Sequence, residues 1–219
     1  MARLVSLREQ QKQLTRQRLL ESALEVFSSK GYVNTTVDDL VASAGASRAT
    51  FYLHFSSKLD ILLKVSAIAA KNTPALYAAL DKALADGSRA ALEAAIDGIM
   101  SWFEAHSGLL QACAEAAMDT PDLSRKARYL IDEFFNAMPC VRSTWPPSLA
   151  EQLRLRLYLF VQQFERFFQN HAASGKWDFP RDALISVLAD IWSVSFFPPA
   201  SSTEPVRKSD RRRPRAPSS

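Results

Sequence analysis

The chain has 219 residues, of which 47% are hydrophobic and 23% are charged, and its formal net charge is +4. These values are ordinary for a soluble globular protein and allow one or two domains, each with a real core. Glycine is scarce, with six residues, which disfavours a turn-rich all-β fold, while the many alanine and leucine residues favour helices.

The charge is unevenly distributed along the chain. Residues 1–70 hold nine Lys/Arg and six Asp/Glu, residues 71–197 hold twelve and fifteen, and residues 198–219 hold six and two. Basic ends around an acidic middle indicate that a polyanionic partner would bind only the ends. The N-terminal residues turn polar too soon for a signal peptide, and no uncharged run approaches the roughly 20 residues of a membrane span. A cytoplasmic protein with no membrane partner is therefore expected.

The first predicted helix lies between Thr15, which is expected to cap its start, and Gly31, which is expected to end it. Its apolar positions follow the i, i+3, i+4, i+7 rule of an amphipathic helix and are Leu20, Ala23, Leu24 and Phe27. Residues 1–14 are interpreted as a basic N-terminal arm.

A capping box predicts a short second helix. Thr36 and Asp39 have the spacing of an approximate capping box, which predicts a helix over residues 37–43. Gly45 then interrupts the pattern. Because glycine adopts positive φ without a Cβ clash, it suits a tight turn at this place.

Serine caps predict the next two helices. Ser47 would cap a short helix over residues 48–55. Ser57 and Asp60 have the spacing of another capping box and predict a longer helix over residues 58–71.

The rest of the chain also shows helical periodicity, with no alternating strand pattern of useful length. The proline-containing residues 139–147 are interpreted as a loop, and residues 198–219, rich in Pro, Ser and Arg, as a disordered basic tail. The predicted fold class is therefore all-α. The further predicted helices span about residues 88–106, 108–118, 120–138, 149–173 and 181–196.

Residues 37–55 have the spacing of a helix-turn-helix. The outward surface of its second helix carries no carboxylate and offers a cation, hydroxyls and an imidazole. DNA phosphates would attract such a surface. The residues expected to face inward and hold the two helices together are Leu40, Ala44, Phe51 and Phe55.

The second helix offers groups that match base edges. Arg48 can bind guanine bidentately, Thr50 can hydrogen-bond, and Ala49 and Leu53 can contact a thymine methyl group.

Flanking side chains are predicted to bind the DNA backbone. Tyr52, His54 and Lys58 can donate to phosphates, and Thr36 lies at a helix N-terminus, which is a natural anion site. The full set of predicted DNA-binding residues is Thr36, Ser47, Arg48, Ala49, Thr50, Tyr52, Leu53, His54 and Lys58.

Residues 35–62 resemble the DNA-binding domain of the tetracycline-repressor (TetR) family of bacterial regulators. The family pattern runs roughly T-T-x-x-x-I-A-x-x-A-G-V-S-x-G-T-[LF]-Y-x-[HY]-F-x-x-K-x-x-L. Val41, Ala46 and Ala49 depart from it, where the family usually has Ala, Val and Gly. The resemblance is specific over about residues 15–65 and beyond them covers only the helical layout. The matching residues are Thr35, Thr36, Ala44, Gly45, Ser47, Thr50, Phe51, Tyr52, His54, Phe55, Lys58 and Leu62.

The resemblance implies a three-helix, helix-turn-helix DNA-binding domain over residues 15–65 and a helical effector-binding and dimerisation domain over residues 66–197. It also implies a homodimer on double-stranded DNA, because paired recognition helices must reach major grooves about 34 Å apart. The last two long helices usually build such an interface, although a monomer core would give similar apolar stripes. These stripes are Leu149, Leu153, Leu157, Val161, Phe164 and Phe168, followed by Leu184, Val187, Leu188, Ile191 and Trp192.

Large apolar side chains in the central helices indicate a ligand chamber. His106 and Gln162 could orient a guest, or they could be surface groups with partners of their own. The expected effector is small and apolar, either aromatic or lipid-like. The residues predicted to contact it are Trp102, Phe103, His106, Met118, Tyr129, Phe135, Tyr158 and Gln162.

No catalytic motif, metal-ligand spacing or cofactor motif is found in the sequence, so neither an enzyme nor a bound metal or cofactor is expected. The preferred hypothesis is a ligand-responsive repressor of a palindromic operator. The alternative is a DNA-binding regulator without a small-molecule effector, either an activator or a protein-responsive factor. Cys113 and Cys140 are interpreted as small core residues in a reducing cytoplasm, with a redox pair left open.

Overall fold

The computed structural model describes residues 6–120, 132, 134–172 and 179–198, and the regular structure within them is helical. Short 3₁₀ turns lie at Ala70–Asn72 and Pro147–Leu149. The described part of the chain is therefore all-α, as predicted. Its α-helices are α1 (Leu7–Lys30), α2 (Val37–Ala44), α3 (Arg48–Tyr52), α4 (Lys58–Ala69), α5 (Thr73–Asp86), α6 (Arg89–Ala105), α7 (Ser107–Asp119), α8 (Pro139–Ser143), α9 (Ala150–Ala172) and α10 (Arg181–Ser195).

Two predictions lie largely outside the described residues. The first is the predicted helix over residues 120–138, of which residues 132 and 134–136 are described and helical. The second is the predicted tail over residues 198–219. Within the described ranges, none of the helices is long and apolar enough to cross a lipid bilayer.

Helix α1 begins nine residues, or about two and a half turns, earlier than predicted. Ser6 is its N-cap, and the Ser6 hydroxyl accepts a hydrogen bond from the Glu9 backbone N–H at 3.3 Å. Thr15 lies inside the helix, where its hydroxyl donates to the Gln11 carbonyl at 2.9 Å, so the predicted cap at Thr15 is wrong. The side chains from Leu7 to position 14 are exposed. Because an exposed helical segment needs no buried apolar face, these residues show no apolar periodicity that would predict a helix.

The three caps predicted around the helix-turn-helix are confirmed. The hydroxyls of Thr36, Ser47 and Ser57 each accept a hydrogen bond from the backbone N–H three residues later. Gly45 ends α2 in the left-handed region at φ 59°. Helix α3 ends at Tyr52 rather than at residue 55, and residues 53–55, which were predicted to be helical, are not.

The N-terminal core, defined here as the buried cluster of α1–α4 and α7, holds the helix-turn-helix in place. Leu40, Phe51 and Phe55 are at most 1% exposed, as predicted for the inward-facing positions, and Ala44 is half-buried. Helix α7 comes from the second half of the described chain but contributes three buried residues to this core. These are Leu109, Ala112 and Ala116.

The C-terminal core, defined as the buried cluster of α5, α6, α8, α9 and α10, contains two helices that the sequence analysis missed. Helix α5 was not predicted. Helix α8 occupies residues 139–143 of the predicted loop, so that prediction is wrong there. The buried Asp81 carboxylate accepts hydrogen bonds from the Cys140 and Val141 backbone N–H groups at 2.9 and 2.8 Å. It therefore satisfies the free donors at the start of α8 from 59 residues away in the chain.

The predicted apolar stripe of α9 belongs mainly to the interior of the single chain. Leu153, Leu157, Phe164 and Phe168 are buried in the C-terminal core, as is Trp192 of α10. The exposed apolar residues of these helices lie on other faces. They are Leu155, Tyr158 and Leu159 of α9 and Val187, Ile191 and Val194 of α10.

Cys113 and Cys140 are free thiols. Cys113 packs against the N-terminal core and lies 3.0 Å from the Ser66 hydroxyl, and burial raises the pKa of its thiol. Cys140 is exposed at the start of α8, where the hydrogen bond and negative charge of Asp81 raise the pKa of its thiol. The prediction of a core position is therefore wrong for Cys140.

Candidate nucleic-acid interface

The turn between α2 and α3 places one face of α3 towards solvent. The Ala46 N–H donates to the Val41 carbonyl at 2.9 Å, which closes the turn around the left-handed Gly45. Phe51 is fully buried beneath α3, whereas Ala49 on its other side is exposed. A short helix is thus anchored by one side and open on the other, which is the geometry by which a helix enters a DNA groove.

The open side of α3 is exposed along its length. Arg48, Ala49 and Tyr52 are exposed, and the Leu53 side chain, just after the helix, is 76% exposed. Thr50 is half-buried, so it contributes less to this surface. The arrangement combines a cation with apolar and phenolic groups, which suits contact with base edges and thymine methyl groups.

The hydroxyls of Ser47 and Thr50 are already hydrogen-bonded to one another. Their oxygens lie 2.8 Å apart, and the Ser47 oxygen also accepts from the Thr50 backbone N–H at 3.1 Å. Ser47 is therefore first of all the cap of α3.

Arg48 forms an ion pair with Asp38, which the sequence analysis missed. The Arg48 Nη1 atom donates to both carboxylate oxygens of Asp38, at 2.9 and 2.8 Å. Both side chains remain more than half exposed. The negative charge of Asp38 raises the pKa of Arg48, so the guanidinium stays charged. A separation of ten residues across a turn follows no helical period, so local spacing could not have indicated the contact.

Thr36 is engaged in a closed capping box. Its hydroxyl and its backbone N–H both donate to the Asp39 Oδ2 atom, at 2.7 and 2.8 Å. Lys30 donates to the other carboxylate oxygen at 2.6 Å. The bonds from Lys30 and Thr36 hold the pKa of Asp39 well below its usual range, so a carboxylate occupies this helix N-terminus.

Lys58 is directed at backbone carbonyls. Its ammonium donates to the Tyr32 and Thr35 carbonyls, each at 2.7 Å, and lies 4.0 Å from the centroid of the Tyr32 ring. The half-buried Lys58 thereby holds the turn that connects α1 to α2. These contacts give it a structural role beside the predicted phosphate contact.

His54 lies near two cations of α1 that the sequence analysis did not select. Partial burial, followed by the charges of Lys12 and Arg16, lowers the pKa of His54 below its ordinary value of 6.5. The Arg16 guanidinium carbon also lies 5.4 Å from the centroid of the Phe55 ring. Lys12 and Arg16 are four residues apart, a spacing that places both on one helix face beside α3.

Three of the predicted effector residues, Trp102, Phe103 and His106, lie close together at the C-terminal end of α6. The Trp102 ring stacks on the His106 ring at 4.8 Å between centroids, and its Nε1–H donates to the Ala69 carbonyl at 3.2 Å. Phe103 packs against Phe164 and Phe168 at 5.4 and 4.7 Å between centroids. Each ring is thus occupied by neighbours from its own chain.

The other predicted effector residues that the structure describes are mostly exposed. Met118 is 82% exposed and Tyr158 38% exposed, and Gln162 is also exposed. Phe135 is half-buried, with the Arg142 guanidinium 4.6 Å from its centroid. Tyr129 lies outside the described residues.

A cavity of about 200 Å³ lies elsewhere, between the α5–α6 turn and the end of α10. Its walls include Leu84, Leu92, Arg89 and Phe197, and none of the predicted effector residues lines it. Among the described residues, no group of three His, Cys, Asp or Glu side chains is placed to hold a metal ion.

The arrangement of α2, turn and α3, supported by α1 and α4, defines a helix-turn-helix domain. Residues 19–65 match the model of a family described as bacterial regulatory proteins, tetR family. The N-terminal domain is therefore similar to the DNA-binding domain of the TetR family, in agreement with the resemblance seen in the sequence.

Curated relatives match over the same part of the chain. The uncharacterized HTH-type transcriptional regulator TtgW of Pseudomonas putida is 43% identical over 53 residues, which are 24% of this chain and 40% of the relative. The HTH-type transcriptional regulator AcrR of Shigella flexneri is 33% identical over 64 residues, 29% of this chain and 30% of the relative. The negative regulator of the biofilm operon icaADBC, IcaR of Staphylococcus aureus, is 41% identical over 44 residues, 20% of this chain and 24% of the relative. The matches thus span less than half the length of these relatives.

Solved structures share the fold over most of the chain. A chain from Mesorhizobium loti assigned to the TetR family superposes with a TM-score of 0.60 at 17% identity and covers 84% of this chain and 96% of its own. The TetR-family regulator PfmR of Thermus thermophilus superposes with a TM-score of 0.53 at 23% identity, covering 80% and 94%. At these identities the likeness establishes the all-α fold.

Proposed function

We propose that this chain is a DNA-binding transcriptional regulator that represses from a palindromic operator as a homodimer and is released by a small apolar effector. The observation that carries the proposal is the open side of α3, where Arg48, Ala49, Tyr52 and Leu53 are exposed while Phe51 anchors the helix. The name of IcaR, a negative regulator, supports repression rather than activation.

Cations beside α3 complete a surface suited to a duplex. Lys12 and Arg16 lie near His54, at the opposite end of α3 from Arg48. Positive groups at both ends of a helix match the two phosphate strands that border a major groove.

The exposed apolar faces of α9 and α10 supply the dimer interface in this proposal. Leu155 and Leu159 of α9 and Val187, Ile191 and Val194 of α10 are each at least half exposed. Exposed apolar side chains that share a helix face mark an interaction site, and two-fold symmetry lets the same face pair with its copy. The predicted stripe lies mainly in the protomer core, so Val187 and Ile191 are the members of the predicted set that remain available.

Helix α7 couples the C-terminal core to the helix-turn-helix. The Glu115 carboxylate on α7 accepts hydrogen bonds from the Tyr32 and Val33 backbone N–H groups, at 2.7 and 3.0 Å, in the turn after α1. His106 alone separates α7 from α6, which belongs to the C-terminal core. An effector that displaces α6 would thus move α7 and, through Glu115, the turn that positions α2.

A second candidate is a DNA-binding regulator without a small-molecule effector. Among the described residues, the side chains predicted to bind an effector do not line the cavity between α5, α6 and α10, and the rings of Trp102 and Phe103 already pack against their own chain. This observation favours a protein signal or constitutive binding.

Selection of bound sequences from random DNA tests the DNA-binding proposal directly. The wild-type chain should enrich two half-sites related by a two-fold axis. Arg48→Ala should then weaken binding to the selected site by about 1–3 kcal/mol. Lys82→Ala is the matched control, since it removes a cation that is 74% exposed on α5, and its affinity should equal that of wild type. Failure to enrich any sequence, or equal affinity of the Arg48 and Lys82 variants, would refute the proposal.

Sedimentation tests the proposed homodimer, and thermal unfolding tests the proposed effector binding. A Val187→Glu, Ile191→Glu double variant should sediment as a monomer, while Ile68→Glu, at a residue 57% exposed on α4, should remain a dimer. A panel of small apolar compounds should raise the Tm of the wild-type chain if an effector binds the folded state. If no compound in the panel raises the Tm while the operator does, the second candidate is favoured.

A further inference from the structure

Within the described part of the chain, Asp38 is the carboxylate that contacts the proposed reading surface of α3. It lies in the first turn of α2, is exposed, and both of its oxygens accept hydrogen bonds from a single nitrogen, Nη1, of Arg48. The cap of α2 is formed separately by Thr36 and Asp39, so α2 does not depend on Asp38 for its start.

Asp38 binds a single nitrogen of the Arg48 guanidinium and leaves the other two outside this contact. A guanidinium carries five N–H donors in a rigid planar fork. Both bonds to Asp38 come from Nη1, so the carboxylate does not engage the edge formed by Nη2 and Nε. Guanine presents two acceptors, O6 and N7, to such an edge. Tyr52, on the same exposed side of α3, also interacts with the Arg48 side chain.

The exposure of the pair argues against a purely structural role. The Arg48 and Asp38 side chains are 58% and 66% exposed, and exposed ion pairs contribute little to folding stability. On a surface that faces DNA, a carboxylate is also repelled by phosphates, so it weakens binding wherever the arginine has no favourable base contact.

We propose that Asp38 is a positioning residue that sets the sequence specificity of Arg48. It orients the guanidinium towards guanine when guanine is present. It also lowers the affinity for DNA that lacks guanine at that position, because the carboxylate then faces the duplex without compensation. This inference rests on the proposed DNA-binding function and adds to it the residue that determines base discrimination.

The test compares discrimination among four proteins: wild type, Asp38→Asn, Arg48→Ala and the double variant. The base pair read by Arg48 is first located as the position at which Arg48→Ala loses preference. Binding is then measured to the selected site and to the same site with that guanine replaced. Asp38→Asn should reduce the ratio of the two affinities by about fivefold or more, part of what a bidentate arginine contact supplies. Its affinity for random DNA should increase.

Two further measurements separate specificity from stability and from charge. In the Arg48→Ala background, adding Asp38→Asn should leave the affinity ratio unchanged, because the side chain that Asp38 positions is absent. Asp86→Asn is the charge-matched control, since Asp86 pairs with Lys82 on α5, and it should change neither affinity nor the ratio. The Tm of Asp38→Asn should match that of wild type; Asp38→Ala is measured in parallel and should give the same loss of discrimination.

The outcomes distinguish this inference from the proposed function. A wild-type chain that selects no DNA sequence overturns both. A wild-type chain that discriminates strongly, together with Asp38→Asn and Asp38→Ala variants that discriminate equally well, overturns the role of Asp38 alone. An equal loss of discrimination in the presence and absence of Arg48 would also overturn it, because Asp38 would then act on the DNA independently.

Discussion

The contact between α7 and α1 depends on the missing side chain of Gly108, and this makes Gly108→Ala a sharp test of the packing. Gly108 is the second residue of α7. A Cβ atom at this position would lie 2.8 Å from the Ser28 Cα atom and 2.9 Å from the Ser28 carbonyl carbon. Both are backbone atoms of α1, so no side-chain rotation can relieve the overlap.

The expected cost follows from these distances. Carbon atoms pack at about 3.5–4.0 Å, so α7 would have to move away from α1 by roughly 1 Å. Overpacking of this kind typically costs about 1–3 kcal/mol, while alanine in place of glycine recovers up to about 1 kcal/mol of helix propensity. The net destabilisation should be about 1–2 kcal/mol, or a decrease in Tm of roughly 2–8 °C for a chain of this size.

Gly98→Ala is the matched control. Gly98 lies inside α6, and a Cβ atom there would meet the Leu76 Cδ2 atom at 3.6 Å, an ordinary contact. This variant should be stabilised by about 0.5–1 kcal/mol. Urea unfolding followed by circular dichroism measures both. A Gly108→Ala variant as stable as Gly98→Ala would refute the close approach of α7 to α1.

Two further predictions concern two buried tryptophans, Trp145 and Trp192, and the pH dependence of stability. Trp145 donates from Nε1 to the Phe196 carbonyl at 2.8 Å, whereas the Trp192 Nε1 atom has no hydrogen-bond partner among the described residues. In urea unfolding, Trp145→Phe should therefore cost about 1–3 kcal/mol more than Trp192→Phe, and equal costs would contradict this account. Partial burial and nearby cations lower the pKa of His54 below 6.5 in the folded chain. As the pH falls, His54 is therefore protonated in the unfolded chain before it is protonated in the folded chain. The free energy of unfolding should hold above about pH 6.5 and decrease below it until folded His54 is itself protonated; His54→Asn should flatten this decrease, and an unchanged pH profile would argue against it.

The helix-turn-helix was predictable because its determinants are local. The caps at Thr36, Ser47 and Ser57 each join a side chain to the backbone three residues later, within reach of a short sequence window. Gly45 marks the turn by its left-handed conformation. Phe51 and Phe55 repeat at the helical period and are buried.

Contacts between distant parts of the chain were not predictable in this way. Helix α8 requires the Asp81 carboxylate on α5 to satisfy its first N–H groups. The same holds for Lys58, whose ammonium binds carbonyls 23 and 26 residues earlier, and for the pair of Arg48 and Asp38.

The predicted effector residues show what an apolar pattern leaves open. A run of large apolar side chains indicates burial but does not say whether they pack against one another or enclose a space. Phe103 packs closely against Phe164 and Phe168, whereas Met118 faces solvent. Both outcomes satisfy the same local sequence pattern.

The position of α7 has a consequence for modularity. Because Leu109, Ala112 and Ala116 fill the core beneath the helix-turn-helix, the unit that unfolds cooperatively is discontinuous in the chain. A fragment that stops near residue 65 would leave an apolar face uncovered and would aggregate or unfold. If C-terminal halves were exchanged between related regulators, α7 would therefore have to be kept with the helix-turn-helix domain that it supports.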